Sequence, residues 1–307
     1  MRKRTVRIFV RLPGCAGEGS AYQPMRLSTA RLPPSALTVC YAGLSDVGLT
    51  RENNEDAWLA AVLGRLPLEP VTAGEGALGL ADGALLAVSD GLGGAAAGEV
   101  ASRLAVMELH TRLGLARQGQ VDPRLARDIV AAANQIILGV SRANPDWRGM
   151  GATLSFIWAE GAQALIGQLG DSRIYRRRAG ELEELTPDHS PVGRLRQSGR
   201  LTEQEARAHP HRHLIDQCLG GDAFTVMPDF VQTDLQEGDA YLLCTDGLTD
   251  GVSDFEIRRT LDALAEPGAD PGILAESLVA AANRAGGRDN VTVLLARVEP
   301  AATASPD

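Results

Sequence analysis

Lysine is almost missing from this chain: it occurs once, at Lys3, against 29 arginines in 307 residues. Aromatic residues make up only 4%. The four cysteines, Cys15, Cys40, Cys218 and Cys244, have no CxxC spacing and no disulfide-dense pattern, which argues against a zinc ribbon or a secreted scaffold and points to a reducing cytoplasm. No apolar run approaches the ~20 residues that cross a bilayer, so a membrane role is not expected. No internal repeat is found.

What is abundant is negative charge, unevenly placed. The formal net charge is −9, yet residues 1–31 carry +6, leaving −15 on the remainder. An acidic body repels nucleic acid and acidic membranes and suits a protein that gathers divalent cations. Residues 1–37 lack a sustained period, are interrupted by Pro13, Pro24, Pro33 and Pro34, and read as a disordered basic arm, with Met25 as an alternative start. Residues 38–299 read as one catalytic domain, expected to act as a monomer, and 300–307 as a disordered tail.

Within that domain LTVCYAGLSD (37–46) and DAWLAAVL (56–63) read as strands, and 64–83 as a glycine-containing connection. Val100, Leu104, Met107, Thr111 and Leu115 share one helical face. Asp122 and Pro123 open a second helix with Leu125, Ile129, Ala133, Ile136 and Val140 inward. Residues 151–185 read as an antiparallel meander, and the proline-containing stretch 186–224 as a flap with a Thr202/Glu205 capping box. Strands near 225–234 and 240–244 follow. Ser253 and Glu256 cap the next helix; another starts at Asp270-Pro271 with Ile273, Leu274, Leu278 and Ala282 inward, before a last strand at 291–298. Many strands, paired helices and no β-α-β alternation predict an α+β sandwich.

The stretch LLAVSDGLGGAAAGEV (85–100) ends an apolar strand in Asp90-Gly91 and opens a helix through glycines. A lone Asp-Gly is ordinarily a turn. Here the arrangement recurs at Asp246-Gly247 after YLLCT, and Asp289-Asn290 immediately precedes the apolar run 291–298. Three carboxylates at strand boundaries suggest one shared site for a hard cation.

Eight short motifs then stand in order: SDVGLTRENNEDA (45–57), SDGLGG (89–94), AGEVAS (97–102), MGAT (150–153), LGDSR (169–173), LTPDHS (185–190), CTDGLTD (244–250) and GRDNVTV (287–293). Through them the chain resembles the bacterial metal-dependent serine/threonine protein phosphatases of type 2C, the PPM family, over residues 40–298. The resemblance implies a four-layer α+β fold, a sandwich of two antiparallel sheets flanked by helix pairs, with two Mn²⁺ or Mg²⁺ ions in a cleft at one edge. It implies that Asp90 bridges both ions, that the Gly91 carbonyl binds one, and that Asp246 and Asp289 bind the other. Glu55, Asp56 and Asn290 would act through bound water, Arg51 would clamp the substrate phosphate, and Asp171 with Asp246 would hold a weaker third ion. The substrates implied are phosphorylated proteins, opposite a serine/threonine kinase.

Elementary chemistry supports this assignment. Clustered carboxylates ionise together only beside cations, an all-oxygen donor set selects Mg²⁺ or Mn²⁺ over Zn²⁺, and a bridged pair of ions makes hydroxide near neutral pH. Arginine suits the phosphate through its planar fork. Two other functions compete: an inactive phosphoprotein-binding or signal-sensing relative, which would be expected to lack one of the metal aspartates, and a phosphatase of small phosphate esters. Cysteine chemistry is disfavoured because no C-x5-R loop is present. A zinc site from His189, His209, His211 and His213 is the weaker explanation of those histidines. Leu92, after Asp90-Gly91, cannot donate a proton, so bound water is expected to protonate the leaving group.

Overall fold

The computed structural model describes residues 37–64, 73–93, 96–116, 119–221 and 225–301. The expected basic arm and tail lie almost wholly outside these residues. Strand β1 (Leu37–Asp46) is followed by β2 (Ala57–Val62), β3 (Ala73–Gly79), β4 (Ala84–Ser89) and the two-residue β5 (Gly91–Leu92). Two 21-residue helices come next, α1 (Ala96–Ala116) and α2 (Pro123–Ala143). The chain returns to strands with β6 (Gly151–Ala152), β7 (Leu154–Glu160), β8 (Gln163–Leu169), β9 (Arg173–Arg178) and β10 (Glu181–Glu184). The flap contains α3 (Pro191–Gln197) and α4 (Glu203–Ala208). After β11 (Leu219–Gly220), β12 (Asp229–Asp234) and β13 (Ala240–Cys244) come the single turn α5 (Asp246–Thr249), α6 (Asp254–Leu264), α7 (Pro271–Arg284) and β14 (Val291–Pro300).

The strands form two antiparallel sheets, β10-β9-β13-β14-β1-β3 and β12-β8-β7-β4-β2, with a small ribbon β11-β6-β5. Alternation along each strand divides the residues among three apolar layers. On β4, Leu86 and Val88 face the other sheet, while Leu85 and Ala87 face α1 and α2. On β14, Leu294, Ala296 and Val298 join the inter-sheet layer, while Val291, Val293 and Leu295 pack under α6 and α7. Both faces of these strands are therefore covered, which is why they read as continuous apolar runs. The expected sandwich flanked by helix pairs is observed.

Five local expectations differ. In α1 the buried face is Ala97, Ala101, Ala105, Leu109 and Leu113, and Leu115 is 83% exposed. Polar residues such as Glu99, Arg103, Glu108 and Arg112 are spread around this helix among apolar ones, so hydrophobicity alone does not select its face; Val100, Leu104 and Met107 of the expected stripe are partly buried against the same core. His110 turns inward as well, held by Val62 O at 3.0 Å. In α2, Ile137 and Val130 are buried in place of Ile136, and in α7 Ile273 is 64% exposed. The connection 64–83 contains strand β3, whose glycine-rich text AGEGALG concealed it. The meander breaks at Gly170-Asp171: β8 pairs with β7 and β12, whereas β9 pairs with β10 and β13 in the opposite sheet.

The helix ends follow their predicted caps. Asp122 accepts from Arg124 N, Asp270 from Gly272 and Ile273 N, and both capping boxes are closed.

Candidate active site

Register alone brings the acidic groups to one edge of the sandwich. Ala57 lies opposite Ser89, so Asp56 and Asp90 leave β2 and β4 side by side. Cys244 is paired with both Val293 and Arg173, which places Asp246 between Asp289, before β14, and Asp171, in the turn from β8 to β9. Asp46 faces Val291, so the loop carrying Arg51 lies against Asp289-Asn290. These groups, with Glu55 and Gly91, surround a cleft of about 370 Å³, except that Asp56 is set behind its wall.

Hydrogen bonds fix the backbone of Asp90 and the side chains of Asp56, Asn290 and Arg51. Asp90 N donates to Thr153 Oγ1 at 2.9 Å, and Thr153 N donates back to Asp90 O at 2.9 Å. Asp56 Oδ2 accepts from the hydroxyls of Thr245 at 2.8 Å and Thr292 at 2.7 Å. Asn290 uses its whole amide on the backbone: Oδ1 accepts from Glu55 N at 2.8 Å, and Nδ2 donates to Val47 O at 3.0 Å and Asn53 O at 2.9 Å. It thereby ties the Arg51 loop to β14. Arg51, with a side chain 52% exposed, donates from Nη2 to Asp289 Oδ2 at 2.8 Å.

Gly91 is required by close approach. A Cβ there would lie 2.2 Å from Gly98 O and 2.6 Å from Glu55 O, and one on Gly98 would lie 2.1 Å from Glu55 Oε2. The glycines of SDGLGG and AGEV thus let the start of α1 press Glu55 against the cleft.

Burial raises five of these carboxylates, Glu55, Asp56, Asp90, Asp171 and Asp246. Asp56 is pushed up to about 7 by burial, against its two hydroxyl donors and aided by Asp289 and Glu55. Asp171 is likewise raised to about 7, by burial and then by Asp188. Asp90 and Asp246 stand well above the ordinary carboxylate range, again through burial first and then through their acidic neighbours. Burial also raises Glu55. Asp56 Oδ1 and Asp246 Oδ1 are buried without a hydrogen-bond partner. Among the described residues no three metal-binding side chains are drawn together at ligand spacing. The suitability for cations rests instead on the donor set, all oxygen, on its uncompensated charge and on the two orphaned oxygens.

Some contributors were not singled out in the sequence. Thr153, Ser172, Thr245 and Thr292 lie within the quoted motifs, but their type signalled only strand or turn. Thr153 Oγ1 and Ser172 Oγ are 2.8 Å apart, joining the Asp90 and Asp171 strands. His213 and Ile215 of the flap line the cleft, and no local pattern announced that. The four histidines do not assemble: His189 accepts from Gly170 N at Nδ1 and contacts Asp229 through Nε2, while His209 and His211 form a ring pair 5.6 Å apart.

Comparison with known proteins agrees. Residues 76–281 match the family model described as protein phosphatase 2C. The chain is 40% identical over 262 residues to the serine/threonine protein phosphatase PstP of Mycobacterium tuberculosis, covering 85% of this chain and 45% of that protein, and so spans about half of that relative's length. It is 38% identical over 260 residues to protein phosphatase PhpP of Streptococcus pneumoniae serotype 2, covering 82% of this chain and 94% of that one. The crystal structure of the PstP catalytic domain in complex with two manganese ions superposes with a TM-score of 0.68 at 38% identity, covering 86% of this chain and 99% of the other. This chain belongs to the protein phosphatase 2C family.

Proposed function

We propose that this chain is a metal-dependent protein phosphatase that hydrolyses phosphoserine and phosphothreonine in proteins. The observation that carries the reading is the ring of buried carboxylates around one open cleft with a single guanidinium, Arg51, at its rim. Asp90, the Gly91 carbonyl, Asp246 and Asp289 would hold two Mn²⁺ or Mg²⁺ ions, with Glu55 and Asp56 behind them, and Asp171 with Asp246 a weaker third. Bound there, the ions would supply Lewis acidity toward the phosphoryl oxygens and a water poised to attack phosphorus.

The protein's own groups do the rest. Arg51, resting on Asp289, offers its remaining N–H groups to the phosphate in a bidentate dock. Thr245 and Thr292 keep Asp56 oriented, and Asn290 keeps the Arg51 loop in place. Leu92 cannot pass a proton to the departing alkoxide, whereas His213, at the same cleft, carries an imidazole that can do so in place of the bound water expected from the sequence. Retention of Asp90, Asp246 and Asp289 argues against an inactive relative. The setting proposed is the cytoplasm, where the chain acts as a monomer opposite a serine/threonine kinase; no helix among the described residues is long and apolar enough to cross a membrane.

Turnover of a phosphothreonine peptide with Mn²⁺ by the wild-type protein and by Asp90→Asn tests this reading. The variant keeps the shape and removes the charge, so activity should fall by several orders of magnitude with the far-ultraviolet circular dichroism spectrum kept. A tenth of wild-type activity in the variant at saturating Mn²⁺ would refute the two-ion assignment.

A further inference from the structure

A second hollow of about 250 Å³ adjoins the cleft, and Asp289 lines both. Its wall carries three guanidinium groups, Arg207, Arg212 and Arg288, against the carboxylates of Asp250 and Asp289. Both carboxylates already have a cation: Asp289 is held by Arg51 at 2.8 Å, and Asp250 faces Arg212 Nε at 3.5 Å. Arg207 is partly spent on Glu203 at 3.2 Å. Among the described residues Arg288 has no hydrogen-bond or ion-pair partner, and it is exposed. Arg207 also lies 3.7 Å from Asp254, so among the described residues Arg288 is the guanidinium of this hollow left without a counter-charge.

The root of Arg288 is fixed. Gly287 takes φ 51°, a Cβ on it would strike Asn283 Oδ1 and the Leu49 side chain at 2.7 Å, and its carbonyl accepts from Leu49 N at 2.7 Å. Leu49, 70% exposed, stands at the same turn and adds an apolar contact of the sort a peptide chain uses. Gly247 and Gly251 also line the hollow, packed close against Asn290 O and Ala285 Cβ.

We infer that this hollow is a subsite for a second anionic side chain on the substrate, a phosphorylated or carboxylate residue a few positions from the scissile phosphoester. The inference rests on the phosphatase reading and adds a substrate class to it: polypeptides that are multiply phosphorylated or acidic near the target. Arg288, free of partners, supplies the forked donor, and Arg212, held at the limit of hydrogen-bond distance, can share its remaining N–H groups.

Phosphothreonine peptides that place phosphoserine, glutamate or alanine at each flanking position in turn test the inference. At a preferred position phosphoserine should lower KM about tenfold relative to alanine with kcat unchanged, and glutamate should have a smaller effect. Arg288→Gln should abolish the preference while processing the alanine peptide like the wild type, and Arg288→Glu should invert it. Wild-type indifference to every flank, or an equal loss on all peptides in Arg288→Gln, would overturn the subsite. Failure of the wild-type protein to hydrolyse any peptide would overturn the phosphatase reading itself, a result distinct from indifference.

Discussion

At the scale of single residues the cleft separates what text can announce from what it cannot. Asp90, Asp246 and Asp289 were legible because each sits in a recurring pattern of apolar strand and acidic terminus, and a strand end fixes where its last side chain points. His213 was not, because a flap without period places its residues only through tertiary contacts. Its role is open to direct measurement. An alkoxide leaving group needs a proton, and a general acid contributes ~10²–10⁴-fold, most for poor leaving groups. His213→Gln should therefore slow a phosphothreonine peptide about 10²-fold and leave an aryl phosphate with an acidic phenol nearly unaffected. Equal rates on the peptide for variant and wild type would return proton delivery to bound water. Asp171→Ala is a second residue-scale case: turnover at high Mn²⁺ should weaken while calorimetry still finds the two tight sites, and loss of those sites would move Asp171 into the central pair.

At the scale of elements, magnitudes decide which flap contacts matter. Arg173 and Asp188 form a two-pronged pair at 2.9 and 2.7 Å, with side chains only 10% and 7% exposed. Arg196 adds Glu184 and Glu203 to the same network, so β9, β10, α3 and α4 are bound together beside Asp171. Removing one partner of a buried pair costs about 3–5 kcal/mol, because the other charge is left stranded, whereas an exposed pair is worth about 0–1 kcal/mol. Asp188→Ala should therefore destabilise the protein by about 3 kcal/mol in urea titration and raise amide exchange through the flap. Asp216→Asn, which loses the exposed pair with Arg194, should change stability by less than about 0.5 kcal/mol. Similar losses in the two variants would show that the network does not hold the flap.

Elements also mark where sequence reasoning stops. Capping residues located the starts of α2, α4, α6 and α7 because a cap is a local hydrogen bond between neighbours. The passage of the chain from one sheet to the other between β8 and β9 is not local: Gly170-Asp171 reads as a hairpin turn, and only β13 pairing with β9 makes it a crossover. That crossover is what brings Asp171 to the cleft. The face of α1 was read only in part for the same reason: Val100, Leu104 and Met107 pack partly buried against the core, whereas Ala97, Ala101, Ala105, Leu109 and Leu113 form its buried centre.

At the scale of the whole molecule, the three apolar layers lie between the sheets and under the helix pairs, with the carboxylates at the edge, so stability and charge are linked without being structurally entangled. Asp56 and Asp171 have ordinary pKa values of 3.8 and stand at about 7 in the fold. A carboxyl raised on folding binds its proton more tightly in the native state, so its contribution favours the fold at low pH and is lost as pH rises from about 4 through about 7. Without divalent cations the melting temperature should therefore fall across that interval. Cations neutralise the same groups, and a ligand at a hundred times its Kd adds about 2.7 kcal/mol per site, so Mn²⁺ should raise the melting temperature most above pH 7 and flatten its pH dependence. Far-ultraviolet circular dichroism should stay unchanged on chelation, because no sheet or helix of the core depends on the edge. Melting curves with chelator and with Mn²⁺ from pH 4 to 8 check this. A metal-free melting temperature indifferent to pH, or a Mn²⁺ increment equal at pH 5 and pH 8, would mean that the carboxylates do not carry the mutual repulsion their burial implies.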